Sequence, residues 1–161
     1  MCGAGVISTS VIALTTDSAK RIAAGENDDR IQALSDALKN PDEALARLID
    51  ALLDDSAKVA GDTVLLVSDG KATDAVSGAP TTLPATAEDV VNNNRMRNEL
   101  EGAKAALGLF SDSLSKRNNA IVQLKDSADE GKLPLIDRAL AKETDVGLKA
   151  KLEQLRAAML V

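Results

Sequence analysis

The chain has 161 residues, 45% of them hydrophobic and 27% charged, with a formal net charge of -6, one aromatic residue (Phe110) and no Trp, Tyr or His. That length suits one soluble domain, 1–161, whose core comes from Leu, Ile, Val and Ala and so favours packed helices over an aromatic-rich sandwich. The missing His excludes imidazole bases, Ser-His or Cys-His nucleophile pairs and ordinary zinc or haem sites, and the acidic balance with a single Phe argues against a nucleic-acid partner.

Cys2 is the only cysteine, so an internal disulfide and a CxxC redox pair are both excluded. Its Met-Cys-Gly-Ala-Gly setting reads as an expression or processing remnant. The longest apolar runs, at 64–67 and 105–110, fall far short of the roughly 18 residues of a membrane span. There is also no basic stretch followed by a long apolar one, the pattern of an export signal.

In chain order, 10–24 reads as a helix whose β-branched Val11, Ile12, Thr15 and Thr16 weaken the pattern, so 1–25 is an N-terminal segment or helix. Gly25 to Asp28 ends it. Ile31, Leu34 and Leu38, then Leu45, Leu48, Ile49, Leu52 and Leu53, recur at steps of three and four and predict two short helices, with helical pattern reaching about residue 60. Between them, Asn40 is expected to cap the second and Pro41 to take its first helical position.

The period then changes. Residues 62–84 read as a β-hairpin insertion: 63–67 is an apolar, β-branched run, Asp69-Gly70 is a type I′ turn signal, and 71–76 returns as the second strand. Residues 81–83 are extended at most, because the residue before Pro84 avoids helical angles. From 85 to 161 the chain reads as helical. Thr86 with Asp89 resembles a capping pair for a long helix carrying Val90, Met96, Leu100, Ala103 and Leu107 on one face and ending near 108–110. Ser111 or Ser113 caps the next, with Leu114, Ile121 and Leu124, and Asp129 to Gly131 closes it. A helix follows over 133–141, and Asp145 precedes a last one carrying Val146, Leu148, Leu152, Leu155 and Met159.

Leu48-Ile49-Asp50-Ala51-Leu52 is close to Leu135-Ile136-Asp137-Arg138-Ala139-Leu140, and each follows a polar, helix-breaking stretch. The predicted fold class is therefore mainly α: HEAT-like antiparallel helix pairs, α-solenoid-like, with an inserted β-hairpin.

Val64-Leu-Leu-Val67, Asp69-Gly70-Lys71, Leu83-Pro84, Glu88-Asp89-Val-Val-Asn-Asn-Asn-Arg95, Leu133-Pro-Leu135 and Ala141-Lys-Glu-Thr-Asp145 occur in that order. Together they resemble the N-terminal extracytoplasmic region of urea ABC transporter permease subunits, which are of the branched-chain-amino-acid permease type. The resemblance spans residues 40–161; the first 25 match the family poorly. It implies a periplasmic domain belonging to an inner-membrane protein, in a urea uptake system with a binding protein, two permeases and two ATPases. The expected partners are the membrane part of the same permease and the urea-binding protein, with the membrane reached only through further chain. The expected role is protein interaction, docking or gating. The alternative is an independent HEAT-like scaffold without a transport role, and apolar segments following Val161 in the reading frame would discriminate between them.

No catalytic, cofactor or metal residues are expected, and no direct small-molecule ligand. Asp62, Asp69 and Asp74 flank the hairpin, but Asp69 has ordinary turn chemistry and the calcium-loop pattern is absent. No phosphate-loop motif follows the strand at 64–67. The unusual feature is Asn92-Asn93-Asn94, since Asn is a poor helix-interior residue. With Arg95 and Arg97 these amides face a partner, clamp the hairpin, or mark a helix that starts at Arg95 with Asn94 as its cap.

Overall fold

The computed structural model describes residues 14–126 and 130–160. Cys2, the first part of the expected 10–24 helix and Asp129 lie outside the described residues. Three helices come first: α1 (Thr16–Ala23), α2 (Asn27–Ala37) and α3 (Glu43–Leu53). Five strands follow, β1 (Ala57–Ala60), β2 (Thr63–Ser68), β3 (Lys71–Asp74), β4 (Pro80–Thr81) and β5 (Glu88–Asp89). Four more helices complete the chain: α4 (Asn94–Gly108), α5 (Leu114–Asp126), α6 (Leu133–Lys142) and α7 (Val146–Met159).

Short polar side chains set several helix starts. Thr15 Oγ1 accepts from the Ser18 amide at 3.0 Å, Asp42 Oδ1 from Leu45 at 2.8 Å and Asp145 Oδ1 from Leu148 at 2.9 Å. Asp42, rather than Asn40, is thus the cap of α3, and the helix begins two residues beyond Pro41. At the other end of α3, Asp55 adopts φ 56°, and Ser56 N donates to Ala51 O at 2.9 Å. This reverse turn stops the helix and turns the chain directly into β1.

The sheet is antiparallel in the order β4-β3-β2-β1-β5. Asp69 (φ 51°) and Gly70 (φ 75°) form the tight β2–β3 turn, with both residues in the left-handed region that a type I′ turn requires. Alternation gives the sheet two faces. Ala57, Val64 and Ala75, with half-buried Val59 and Leu66, join the main core, against which α1 and α3 pack. The helices continue from there as a layer: α3 on α4, α4 on α5, α5 on α7, and α7 on α6. Ile22, Leu48, Ile49, Leu52, Met96, Leu100, Ile121, Leu124 and Ile136 are fully buried within one apolar cluster. The α4–α5 contact is close, because a Cβ at Gly108 would stand 3.0 Å from the Ala120 Cβ.

The mainly-α, HEAT-like expectation is overturned. The described residues are about 59% helical and 12% strand, so a five-stranded sheet, not one hairpin, forms a second structural layer in a mixed α/β fold. The two similar Leu-Ile-Asp segments are not equivalent repeats: α3 packs on α1, the sheet and α4, whereas α6 packs on α7. Two stretches read as helix are strand, 57–60 and 88–89. Glu88 and Asp89 pair with Val59 and Lys58 of β1, so Thr86 and Asp89 cap nothing, and helix begins only at Asn94.

Leu135 is 1% exposed while Leu140 is only partly buried against the core. Leu135→Ala should therefore cost about 2–5 kcal/mol in urea denaturation and Leu140→Ala less. Gly70→Val should cost about 1–2 kcal/mol: nothing lies within 4 Å of the added Cβ, so the penalty is that of the positive φ alone. An unchanged midpoint for Gly70→Val would contradict the turn.

Candidate interaction site

Among the described residues, a concentrated set of polar contacts inside the fold centres on Arg30. It lies four residues before Leu34 and eight before Leu38 on the buried side of α2, and is only 3% exposed. Its Nε donates to Ile22 O at 2.7 Å, Nη1 to Val91 O at 3.0 Å and Nη2 to Asn92 Oδ1. All three acceptors are neutral oxygens. Ile22 O belongs to the last turn of α1, where unsatisfied carbonyls and the helix dipole both favour a cation. Burial pushes the guanidinium pKa below its ordinary value, yet an arginine so well supplied with acceptors stays charged.

Asn92 extends this network to α3, since its Nδ2 donates to Leu52 O at 3.0 Å. Arg97 covers the neighbouring carbonyl, donating to Leu53 O at 3.2 Å, and its other terminal nitrogen meets both Asp55 oxygens at 2.6 and 2.7 Å. Arg95 pairs with Asp28 at 2.7 Å. Asn93 Oδ1 accepts from Met96 N at 2.9 Å and caps α4, one residue earlier than the expected Asn94 cap. Asn94 is exposed at the first helical position. The five residues singled out in the sequence therefore lie together, and their partners are α2, the C-terminal end of α3 and, through Arg30, the end of α1. Arg30 itself was missed, although a charged residue in the register of Leu34 and Leu38 was a legible signal.

Beside this clamp, a cleft of about 580 Å³ opens between α1, α2 and the start of α3. Leu14, Ala33, Ala37 and Leu45 contribute its apolar part, and Asp17, Asp29, Asp36 and Asp42 make it acidic, with Arg21 the opposing charge. Arg21 is 3.0 Å from Asp17, Asp36 is 3.3 Å from Lys39, and Asp42 also accepts from Leu14 N at 2.8 Å. The acidity is not confined to the cleft: the first 100 residues hold 16 Asp and Glu against 9 Lys and Arg, and the last 61 hold 9 against 10.

A second, smaller hollow of about 260 Å³ lies between the α4–α5 turn and the α6–α7 turn. Arg117 Nε reaches Glu143 Oε2 at 2.9 Å there, with the Glu143 side chain 3% exposed, and Lys142 Nζ sits 5.6 Å from the Phe110 ring centre. These bonds tie two turns together. On the helix layer, Asp50 Oδ1 at 3.0 Å raises the Lys104 pKa, first by its hydrogen bond and then by its charge.

The hairpin carboxylates do not converge. Asp62 pairs with Lys20 at 3.2 Å, Asp69 occupies the turn, and Asp74 Oδ1 accepts from Val76 N and Ser77 N at 2.9 Å each. Among the described residues, no group of three His, Cys, Asp or Glu side chains is placed to hold a metal ion. No helix among them is long and apolar enough to cross a membrane. Comparison of the chain with family models, curated proteins and solved structures returns no match.

The three asparagines differ in what they hold, and their alanine variants should rank accordingly in urea denaturation. Asn92→Ala removes two bonds and leaves Arg30 and Leu52 O short of a partner, for about 2–3 kcal/mol. Asn93→Ala loses a cap, for about 1 kcal/mol. Asn94→Ala should change stability by less than about 0.5 kcal/mol. A different order would contradict the clamp.

Proposed function

We propose that this domain is a protein-docking module, and that it serves as the periplasmic, extracytoplasmic part of a urea ABC transporter permease. The sequence resemblance over residues 40–161 supports the transporter assignment. The docking role rests on one observation, the half-apolar, acidic cleft between α1 and α2. Apolar floor and a rim of four Asp against one Arg together suit an exposed, basic segment of a protein partner: charge complementarity steers the encounter, and apolar contact holds it. The membrane part of the permease and the urea-binding protein are the proposed partners.

Urea itself is not the ligand of this domain. A small, strongly hydrated molecule needs enclosure and several converging donors and acceptors. The side chains of Asn92 and Asn93, the densest amides in the chain, are engaged by Arg30, Leu52 O and Met96 N.

Titration of the domain against a purified periplasmic urea-binding protein, and separately against the detergent-solubilised membrane part of a urea permease, tests this reading. Saturable binding to one of them is expected. It should weaken several-fold as salt rises from about 50 to 200 mM and again in Asp29→Asn/Asp36→Asn. Binding to neither, or binding indifferent to both changes, would contradict it. Calorimetry with millimolar urea should show only heat of dilution.

A further inference from the structure

The strand order β4-β3-β2-β1-β5 puts β4 and β5 on opposite edges of the sheet, yet only residues 82–87 connect them. Four strand spacings of about 4.8 Å separate those edges by about 19 Å. The seven steps from Thr81 to Glu88 would reach about 24 Å if fully extended, and less with the turn that Ala87 N closes on Pro84 O. The link is thus nearly taut and has no slack for a route around the strand ends. One face of the sheet is already occupied by α1 and α3 through Ala57, Val64 and Ala75. The opposite face carries Leu65 and Ala72, which are 3% and 4% exposed although they stand outside the main core cluster. The connection that crosses this face carries one large apolar side chain, Leu83, which is 38% exposed in a segment mostly open to solvent.

We infer that residues 82–87 form a strap across this outer face, pinned at its far end by the Arg30 clamp, and that release of the strap is the first opening step of the domain, uncovering Leu65 and Ala72. The moorings of the strap are slight. At its start, Asp74 N donates to Ala79 O at 2.9 Å and β4 offers two residues to β3. Within it, Ala87 N donates to Pro84 O at 3.1 Å. At its end, β5 offers two residues to β1, and Lys58 meets Asp89 at 2.6 Å in an exposed pair of small value. Only beyond Asp89 does the chain become firmly held, where Val90 N donates to Ala57 O at 3.2 Å and Val91 O and Asn92 Oδ1 accept from buried Arg30. A segment with few buried contacts and slight moorings opens locally, well below the free energy of global unfolding.

Native-state hydrogen exchange on the whole chain tests this. The Asp74 and Ala87 amides should exchange together through an opening that depends little on denaturant, and the Val90 amide more slowly because the clamp holds it, while the Ala75 amide, bonded to Val64 O, follows global unfolding. Arg30→Lys keeps the charge but loses the fork of donors, and should raise the strap opening about tenfold or more at Val90. Leu83→Ala leaves the clamp intact, so it should raise opening at Asp74 and Ala87 several-fold and increase binding of an apolar dye. Should Arg30→Lys fail to fold, Leu83→Ala decides the matter alone. Exchange of Asp74 and Ala87 only with global unfolding, or no response to Leu83→Ala, would overturn the inference.

Discussion

A guanidinium cannot be taken out of water unless its donors are met, and Arg30 meets that demand by gathering two separate pieces of chain directly and a third through Asn92. Ile22 O ends α1, Val91 O and Asn92 Oδ1 begin the approach to α4, and Asn92 passes the connection on to Leu52 O at the end of α3. Two helix C-termini, each with carbonyls lacking partners in their own helix, are thereby joined by donors from elsewhere. Apolar packing supplies most of the stability, but it is tolerant of sliding; directional bonds fix the angles at which α1, α2, α3 and the strand-to-helix loop meet. The acidic cleft depends on the same junction, because its walls are the outer sides of α1 and α2.

Sequence carried the local features of this fold well and the non-local ones badly. The periodic Leu and Ile positions of α3 and α7, the Asp69-Gly70 turn and the Asp145 cap are each written in a few neighbouring residues. β1 was invisible because Ala57-Lys58-Val59-Ala60 is short, holds one β-branched residue and follows a helix without Gly or Pro to mark the boundary. The signal for stopping α3 was instead Asp55 in a left-handed conformation, which Asp tolerates but which no pattern announces. β4 and β5 have two residues each, too short for any alternation, and exist only because β3 and β1 offer them edges. The apparent repeat failed for a related reason: Leu-Ile-Asp reports one buried turn of helix, not which neighbour buries it.

At the candidate site the position was legible and the partners were not. Three asparagines in a row are anomalous in a helical context, and all three prove to lie at the loop-to-helix junction. Their partners, Arg30, Leu52 O and Met96 N, lie at sequence separations from 3 to 62, so only the nearest, the cap, was within reach of local reasoning. The acidic cleft was equally hidden. Asp17, Asp29, Asp36 and Asp42 are unremarkable one at a time, and become a single field only when α1 folds back along α2.

Arg30 supplies the bonds that set this junction, and the unfolding of Arg30→Met in urea measures their worth most directly. Methionine keeps much of the apolar bulk but leaves Ile22 O, Val91 O and Asn92 Oδ1 without their donor in a buried place. A loss of about 3 kcal/mol or more is expected, with an undiminished dependence on denaturant showing that the remaining fold stays compact. A loss below about 1 kcal/mol would mean that packing alone sets the junction and that the clamp is incidental.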